Sequence, residues 1–163
     1  MPDQHLYLIA LGGNVRHRRY GVPAQVLTAA TDAIDDAVGK VVAASPVMHS
    51  AAVGPSARQY ANAAILVRSK FGPRDMLAAL KDMEAIFGRR RGGQRWSART
   101  LDCDIVLWSG GVWADEALTI PHPLFRERDF VLQPAAAIVP HWRDPLTNLS
   151  IRQLLFRNRH QGA

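Results

Sequence analysis

A chain of 163 residues and 18.0 kDa, 48% hydrophobic and 21% charged, has the size and composition of one globular domain spanning residues 1–163, and it is not a wholly disordered chain. The net charge of +6 rests on 20 basic residues, of which only Lys40, Lys70 and Lys81 are lysine. Arginine therefore dominates, its planar fork suits phosphate, and an anionic partner is expected. The one cysteine, Cys103, cannot form an internal disulfide. With no basic-then-apolar leader at Met1–His5 and no apolar run near the roughly 18 residues of a membrane span, a cytoplasmic protein without membrane contact is expected.

Leu6 to Leu11 is a short apolar run closed by Gly12-Gly13-Asn14 and reads as a buried strand and turn. Leu27, Ala30, Ile34 and Val38 then follow helical spacing, with Gly39 at the stop. Val41 to Met48 is β-leaning, and Pro46 predicts an edge or irregular strand. Residues 49 to 59 read as a loop around Gly54-Pro55, and Tyr60 to Ser69 as a third strand. Pro73 suits a first helical turn, after which Met76, Leu80, Met83 and Phe87 mark one face until Gly88. Residues 89 to 99 carry five arginines, Gly92-Gly93 and no acid. Leu101 to Trp108 is a fourth strand, with Leu101, Cys103, Ile105 and Leu107 predicted to point into the core. Prolines 121, 123, 134 and 140 punctuate the remainder, and Ser150 with Gln153 forms a capping box for a last short helix. The order predicts an α+β, ferredoxin-like βαββαβ sandwich: an antiparallel sheet, helices on one face, and C-terminal additions.

Asp102 and Asp104 alternate on the fourth strand, so both carboxylates share a face about 6–7 Å apart. Adjacent carboxylates repel unless a cation intervenes, and Mg²⁺ is the hard cation that joins carboxylates to phosphates. Alone, such a pair is more often two solvated aspartates. The arginine-rich stretch directly before it puts phosphate donors beside the pair, as phosphoryl transfer requires. Trp96 lies within that stretch and suits a lid or stacking group. His122, held between Pro121 and Pro123, has the chemistry to donate to a phosphate, although a lone histidine is usually an ordinary surface residue. Tyr60 and Asn62 share a strand face and suit a flat heterocycle, again a pattern more often structural on its own. Cys103 reads as core. No G-x-x-x-x-G-K-[ST] loop occurs, so phosphates would be held by arginines and metal.

From about Leu6 to Pro140 the chain resembles the 6-hydroxymethyl-7,8-dihydropterin pyrophosphokinases of folate biosynthesis. The resemblance is carried by LYLIALGGN, GPSARQYANAA, GRRRGGQRWSARTLDCDIVLW and LTIPHPLFRERDFVLQP, in family order. It implies a Mg²⁺-dependent transfer of the β,γ-diphosphate of ATP to the pterin hydroxymethyl oxygen, releasing AMP. It implies two Mg²⁺ ions held by Asp102 and Asp104, and Arg89 and Arg99 on the transferring phosphates. Arg91, Arg95, His122 and Arg128 would bind ATP in support. Tyr60 and Phe130 would sandwich the pterin, Asn62 would hydrogen-bond it, Val53 would line its pocket, and Trp96 would close over it. The implied partners are ATP and the reduced pterin, and the implied state is a monomer. Gly13, Ala51-Ala52, Ser97-Ala98, Pro123 and Ala137 depart from family habit, and none removes a carried-over arginine or a metal ligand.

An RNA-recognition module shares the element order, but its strands present several aromatics where this third strand offers only Tyr60, and the two aspartates would repel a phosphate backbone. No nucleic-acid partner is therefore expected. A regulatory ligand-binding domain would have no use for the carboxylate pair. Residues 88 to 99 are expected to be mobile without ligand and to fold over ATP and pterin, since five arginines repel one another until phosphates pair with them.

Overall fold

The computed structural model describes residues 4–50, 60–88 and 100–161. The first apolar run forms β1 (His5–Gly13). Helix α1 (Pro23–Ala37) follows, with proline in its first turn, and the Gln25 side chain reaches back to accept the Val22 N–H at 2.9 Å. Val26, Leu27, Ala30 and Ile34 form its buried stripe. The helix ends where the Gly39 N–H donates to the Ile34 carbonyl at 3.1 Å. A Cβ at Gly39 would lie 2.6 Å from the Arg68 carbonyl oxygen, so only glycine lets the chain turn this close to the neighbouring strand.

The β-leaning stretch divides into β2 (Lys40–Ala44) and β3 (Met48–Ser50), with Pro46 in the gap. Both pair with β4 (Tyr60–Ser69). The loop expected from residue 49 thus starts later, because His49 and Ser50 find partners in Ala61 and Tyr60. Residues 51–59 lie outside the described ones. Helix α2 (Pro73–Ile86) buries Met76, Leu80 and Met83 on the expected face, with Phe87 buried just beyond, and Gly88 closes it at a φ of 107°. Then come β5 (Asp102–Trp108), β6 (Trp113–Ala114) and β7 (Thr119–Ile120).

The main sheet runs β2-β4-β1-β5, with every neighbouring pair antiparallel. This is the ferredoxin-like arrangement the element order predicts. Tyr7, Ile9, Leu11, Ile65, Val67, Cys103 and Ile105 face α1 and α2 in the larger core. The C-terminal additions cover part of the opposite face. There, α3 (Asp129–Ile138) and α4 (Ile151–Gln161) pack Val131, Leu132, Ala135, Ile151 and Leu154 against Leu8, Ala64 and Val106.

Two local expectations are corrected. Leu107 belongs to this second core and not to the first. The register between β1 and β5 shifts at Leu8/Ile9, so that Leu8 opposes Leu107 and Ile9 opposes Ile105. The extra residue, Val106, breaks the alternation and carries Leu107 to the other face. The proline-punctuated stretch also contains a ten-residue helix, α3, with Pro134 inside it. Pro134 is among the buried residues of that helix, and its burial offsets one lost helical hydrogen bond. The predicted cap of α4 is present in both directions. The Ser150 N–H donates to Gln153 Oε1 at 2.9 Å, and the Gln153 N–H donates to Ser150 Oγ at 3.1 Å. Among the described residues, no helix is long and apolar enough to cross a membrane.

Candidate active site

Side-chain alternation decides what shares a face. Tyr60 and Asn62 on β4, Ala10 and Gly12 on β1, and Asp102 and Asp104 on β5 all lie opposite the α1/α2 core. Asn62 opposes Gly12, and Gly12 opposes Asp102; in the next row Ala64, Ala10 and Asp104 align. With strands spaced about 4.8 Å apart, Asn62 and Asp102 stand about 10 Å from each other. Only Gly12 lies between them, and a Cβ there would come within 3.6 Å of Asn62 Oδ1. The fold thus joins two residue pairs distant in sequence across a floor with no side chain.

Asn62 is 5% exposed, and its Nδ2 donates to Ser50 Oγ at 2.9 Å. That bond fixes the amide so that Oδ1 is directed over Gly12. Tyr60 is 39% exposed and Phe130 43%, high for aromatic rings. The helix that starts beside Phe130 packs across β3 and β4. The Arg128 guanidinium stands 5.6 Å from the centre of the Phe130 ring.

His122 follows β7 and is tied to β5, its N–H donating to the Val106 carbonyl at 3.1 Å. Its Nδ1 accepts the Leu124 N–H at 3.1 Å. Burial of the imidazole lowers its pKa below the usual value; Asp104 opposes that shift and Arg128 adds to it. The ring is therefore held neutral at pH 7, and with Nδ1 accepting, the proton sits on Nε2 as a donor.

The segment carrying Arg128 and Phe130 is anchored from far along the chain. Asp144 is fully buried and accepts from Arg126 Nη2 at 2.8 Å, from Thr147 Oγ1 at 2.7 Å and from the Leu146 N–H at 3.1 Å. Burial alone would raise its pKa, but these hydrogen bonds and the Arg126 charge outweigh it and hold the carboxyl below the usual carboxylate range.

Asp104 is exposed and Asp102 half-buried. Their oxygens are hard donors on one strand face, which fits Mg²⁺. Among the described residues no group of three or more His, Cys, Asp and Glu side chains could hold a metal alone. Two carboxylates could supply part of a coordination sphere, which would suit an ion completed by water and substrate phosphates. Cys103, between them, is buried, and its thiol is pushed up by burial first and then by Glu84, Asp102 and Asp104. It is no nucleophile, in agreement with the core reading.

Seven predicted site residues are described: Tyr60, Asn62, Asp102, Asp104, His122, Arg128 and Phe130. The first four share the sheet face, the charges of Asp104 and Arg128 both act on His122, and Phe130 lies in the first turn of the helix crossing that face. Val53, Arg89, Arg91, Arg95, Trp96 and Arg99 lie outside the described residues, as does the expected closing motion of that stretch. Ser50, Glu84 and Asp144 were missed. Ser50 and Asp144 carry no local signal. Glu84 does, since it falls four residues after Leu80 on the apolar stripe of α2 and is 5% exposed.

Residues 8–140 match the family profile of 7,8-dihydro-6-hydroxymethylpterin-pyrophosphokinase. The chain is 35% identical over 156 residues to the 2-amino-4-hydroxy-6-hydroxymethyldihydropteridine pyrophosphokinase of Synechocystis, covering 94% of this chain and 77% of that protein. It is 34% identical over 144 residues to the Pseudomonas aeruginosa enzyme of the same name, covering 87% and 85%. Among solved structures, the wild-type Plasmodium falciparum HPPK-DHPS superposes with a TM-score of 0.70 at 12% identity, over 94% of this chain and 41% of that one. That likeness shows the fold, and the chain spans less than half of that longer protein. With a profile match over most of its length and relatives in register throughout, the chain belongs to the 7,8-dihydro-6-hydroxymethylpterin-pyrophosphokinase family.

Proposed function

We propose that the sheet face bearing Asn62, Gly12, Asp102 and Asp104 is where this ATP-dependent diphosphotransferase aligns its two substrates. The observation that carries the reading is the row Asn62, Gly12 and Asp102 across β4, β1 and β5, with the amide and one carboxylate on opposite sides of a bare glycine and Asp104 in the next row of the same face. The family reaction is transfer of pyrophosphate from ATP to 6-hydroxymethyl-7,8-dihydropterin in folate synthesis.

Asn62 offers Oδ1 to the ring N–H groups of a pterin lying on Gly12, and the exposed rings of Tyr60 and Phe130 supply flat apolar faces. At the other end Asp102 and Asp104 would hold the metal, two Mg²⁺ ions in this reading. When bound there, the cation would supply charge neutralisation on the phosphates and would lower the pKa of the attacking hydroxyl. His122 donates from Nε2 to a phosphate oxygen without adding a full charge, and Arg128 supplies that charge beside it. The arginines of the preceding stretch, Arg89, Arg91, Arg95 and Arg99, are assigned to the phosphates from sequence, with Arg89 and Arg99 on the transferring groups. Val53 and Trp96 are assigned to the pterin side in the same way. Little covalent chemistry is asked of the protein. Alignment of the hydroxymethyl oxygen with the β-phosphorus and stabilisation of charge leaving with AMP are the main contributions. We read the enzyme as a cytoplasmic monomer.

The test is AMP formation from ATP with and without 6-hydroxymethyl-7,8-dihydropterin, with and without Mg²⁺. Stoichiometric AMP and pterin diphosphate, only when both pterin and Mg²⁺ are present, is the expected result. Pterin-independent hydrolysis, or ADP as product, would contradict the reading.

A further inference from the structure

We propose that Glu84 is a positioning residue that holds the carboxylate pair in place by fixing the backbone between its two members. The inference rests on Asp102 and Asp104 being the metal-binding pair.

Among the described residues strand β5 ends the sheet order, so there its outward backbone groups have no neighbouring strand. The edge is covered in two other ways. Near its far end the Val106 carbonyl accepts the His122 N–H. Near its start the Cys103 N–H donates to Glu84 Oε2 at 2.9 Å, and both residues are buried. Cys103 sits between Asp102 and Asp104, so this bond fixes the peptide from which both carboxylates project. It is charge-assisted and buried, the stronger kind of hydrogen bond. It ties a site strand to α2, whose apolar stripe is locked into the larger core through Leu80 and Met83. The carboxylate gives a short, rigid tether, as outer partners of metal ligands commonly do.

The experiment compares Glu84→Ala, Glu84→Gln, Asp102→Asn and Asp104→Asn in the whole protein. Turnover is measured at saturating Mg²⁺, and amide hydrogen exchange is measured without substrates or metal. Glutamine keeps an acceptor for the Cys103 N–H; alanine does not. Loss of an outer partner typically costs about 10–100-fold in activity or metal affinity, and a fall in kcat of that size with little change in pterin KM is expected for Glu84→Ala. Glu84→Gln should recover most of the loss. Exchange at the Cys103 amide should quicken by about tenfold or more in Glu84→Ala, with Leu66 in the sheet interior unchanged. Should alanine prevent folding, Glu84→Met, which keeps the volume without an acceptor, takes its place with the same expectations.

The proposal is overturned if Cys103 stays protected in the acceptor-free variant, or if that variant turns over like wild type while the aspartate variants are impaired. It is equally overturned if Glu84→Gln fails as badly as Glu84→Ala, since charge and not the tether would then matter. If both aspartate variants turn over normally, the metal-site reading itself falls, and Cys103 exchange separates that failure from the loss of the tether.

Discussion

Replacing Asp144 with alanine should destabilise the fold far more than an ordinary loop substitution. The side chain is fully buried and is the acceptor for Arg126, for Thr147 Oγ1 and for the Leu146 N–H. Arg126 is only 24% exposed, so without Asp144 a largely buried guanidinium is left unpaired. Removing one partner of such a pair typically costs about 3–5 kcal/mol. For a chain of this length each kcal/mol lowers Tm by about 2–4 °C, so a fall of about 6–20 °C is expected. The wild-type pH dependence follows from the same contacts. The folded carboxyl is held below its unfolded value, so its contribution is present above the unfolded pKa and is lost as pH falls through the folded one. With ordinary aspartate near 3.9, the window lies below about pH 4, and Asp144→Ala should show a shallower acid dependence there. Thermal unfolding followed by circular dichroism from pH 7 to pH 2 measures both. A Tm within about 2 °C of wild type at pH 7 would refute the assignment of a buried anchoring role to this pair.

Asn62→Ala should raise the pterin Kd by about 10-fold or more while leaving ATP affinity within a factor of about two, since it removes one buried, pre-oriented amide; isothermal titration with each ligand decides. Gly12→Leu, whose Cβ would meet only ordinary contacts at 3.6 and 3.7 Å, should abolish pterin binding by filling the floor between Asn62 and Asp102, with an unchanged Tm as the check on folding. Normal pterin binding by that variant would move the heterocycle off this face. His122→Ala should weaken ATP binding by about 10–150-fold, the loss of one hydrogen bond to a charged group, without changing pterin affinity; nucleotide titration at pH 7 tests it.

Much of the fold follows from local pattern. The strand at Tyr60–Ser69 and the α2 stripe of Met76, Leu80 and Met83 are legible because burial imposes a period on neighbouring residues. The reversal at Leu107 is not legible, since a bulge is set by how β5 meets β1 and Val106 looks like any other strand residue. Helix α3 escapes because Pro134 reads as a breaker until the core it packs against is known. The site divides along the same line. Asp102, Asp104, Tyr60 and Asn62 are visible as alternating pairs within strands, and the family resemblance of the sequence implies their roles. That both pairs meet across Gly12 is a property of strand order, which a single sequence does not display. Ser50, Glu84 and Asp144 act through hydrogen bonds spanning 12, 19 and 18 residues, beyond the reach of any local motif.

The central claim is that Asp102 and Asp104 act together as the metal-binding face. The most direct measurement is the Mg²⁺ dependence of pterin-stimulated AMP formation in wild type, Asp102→Asn and Asp104→Asn, each checked for an unchanged Tm. Each substitution keeps side-chain size and removes one formal charge from the shared face. Both variants should lose turnover by about 100-fold or more, the scale of removing a group that stabilises the transition-state charge, and should need far more Mg²⁺ to reach half of their own maximum. A variant with wild-type turnover at limiting Mg²⁺ would show that its aspartate does not hold the metal and would contradict the account.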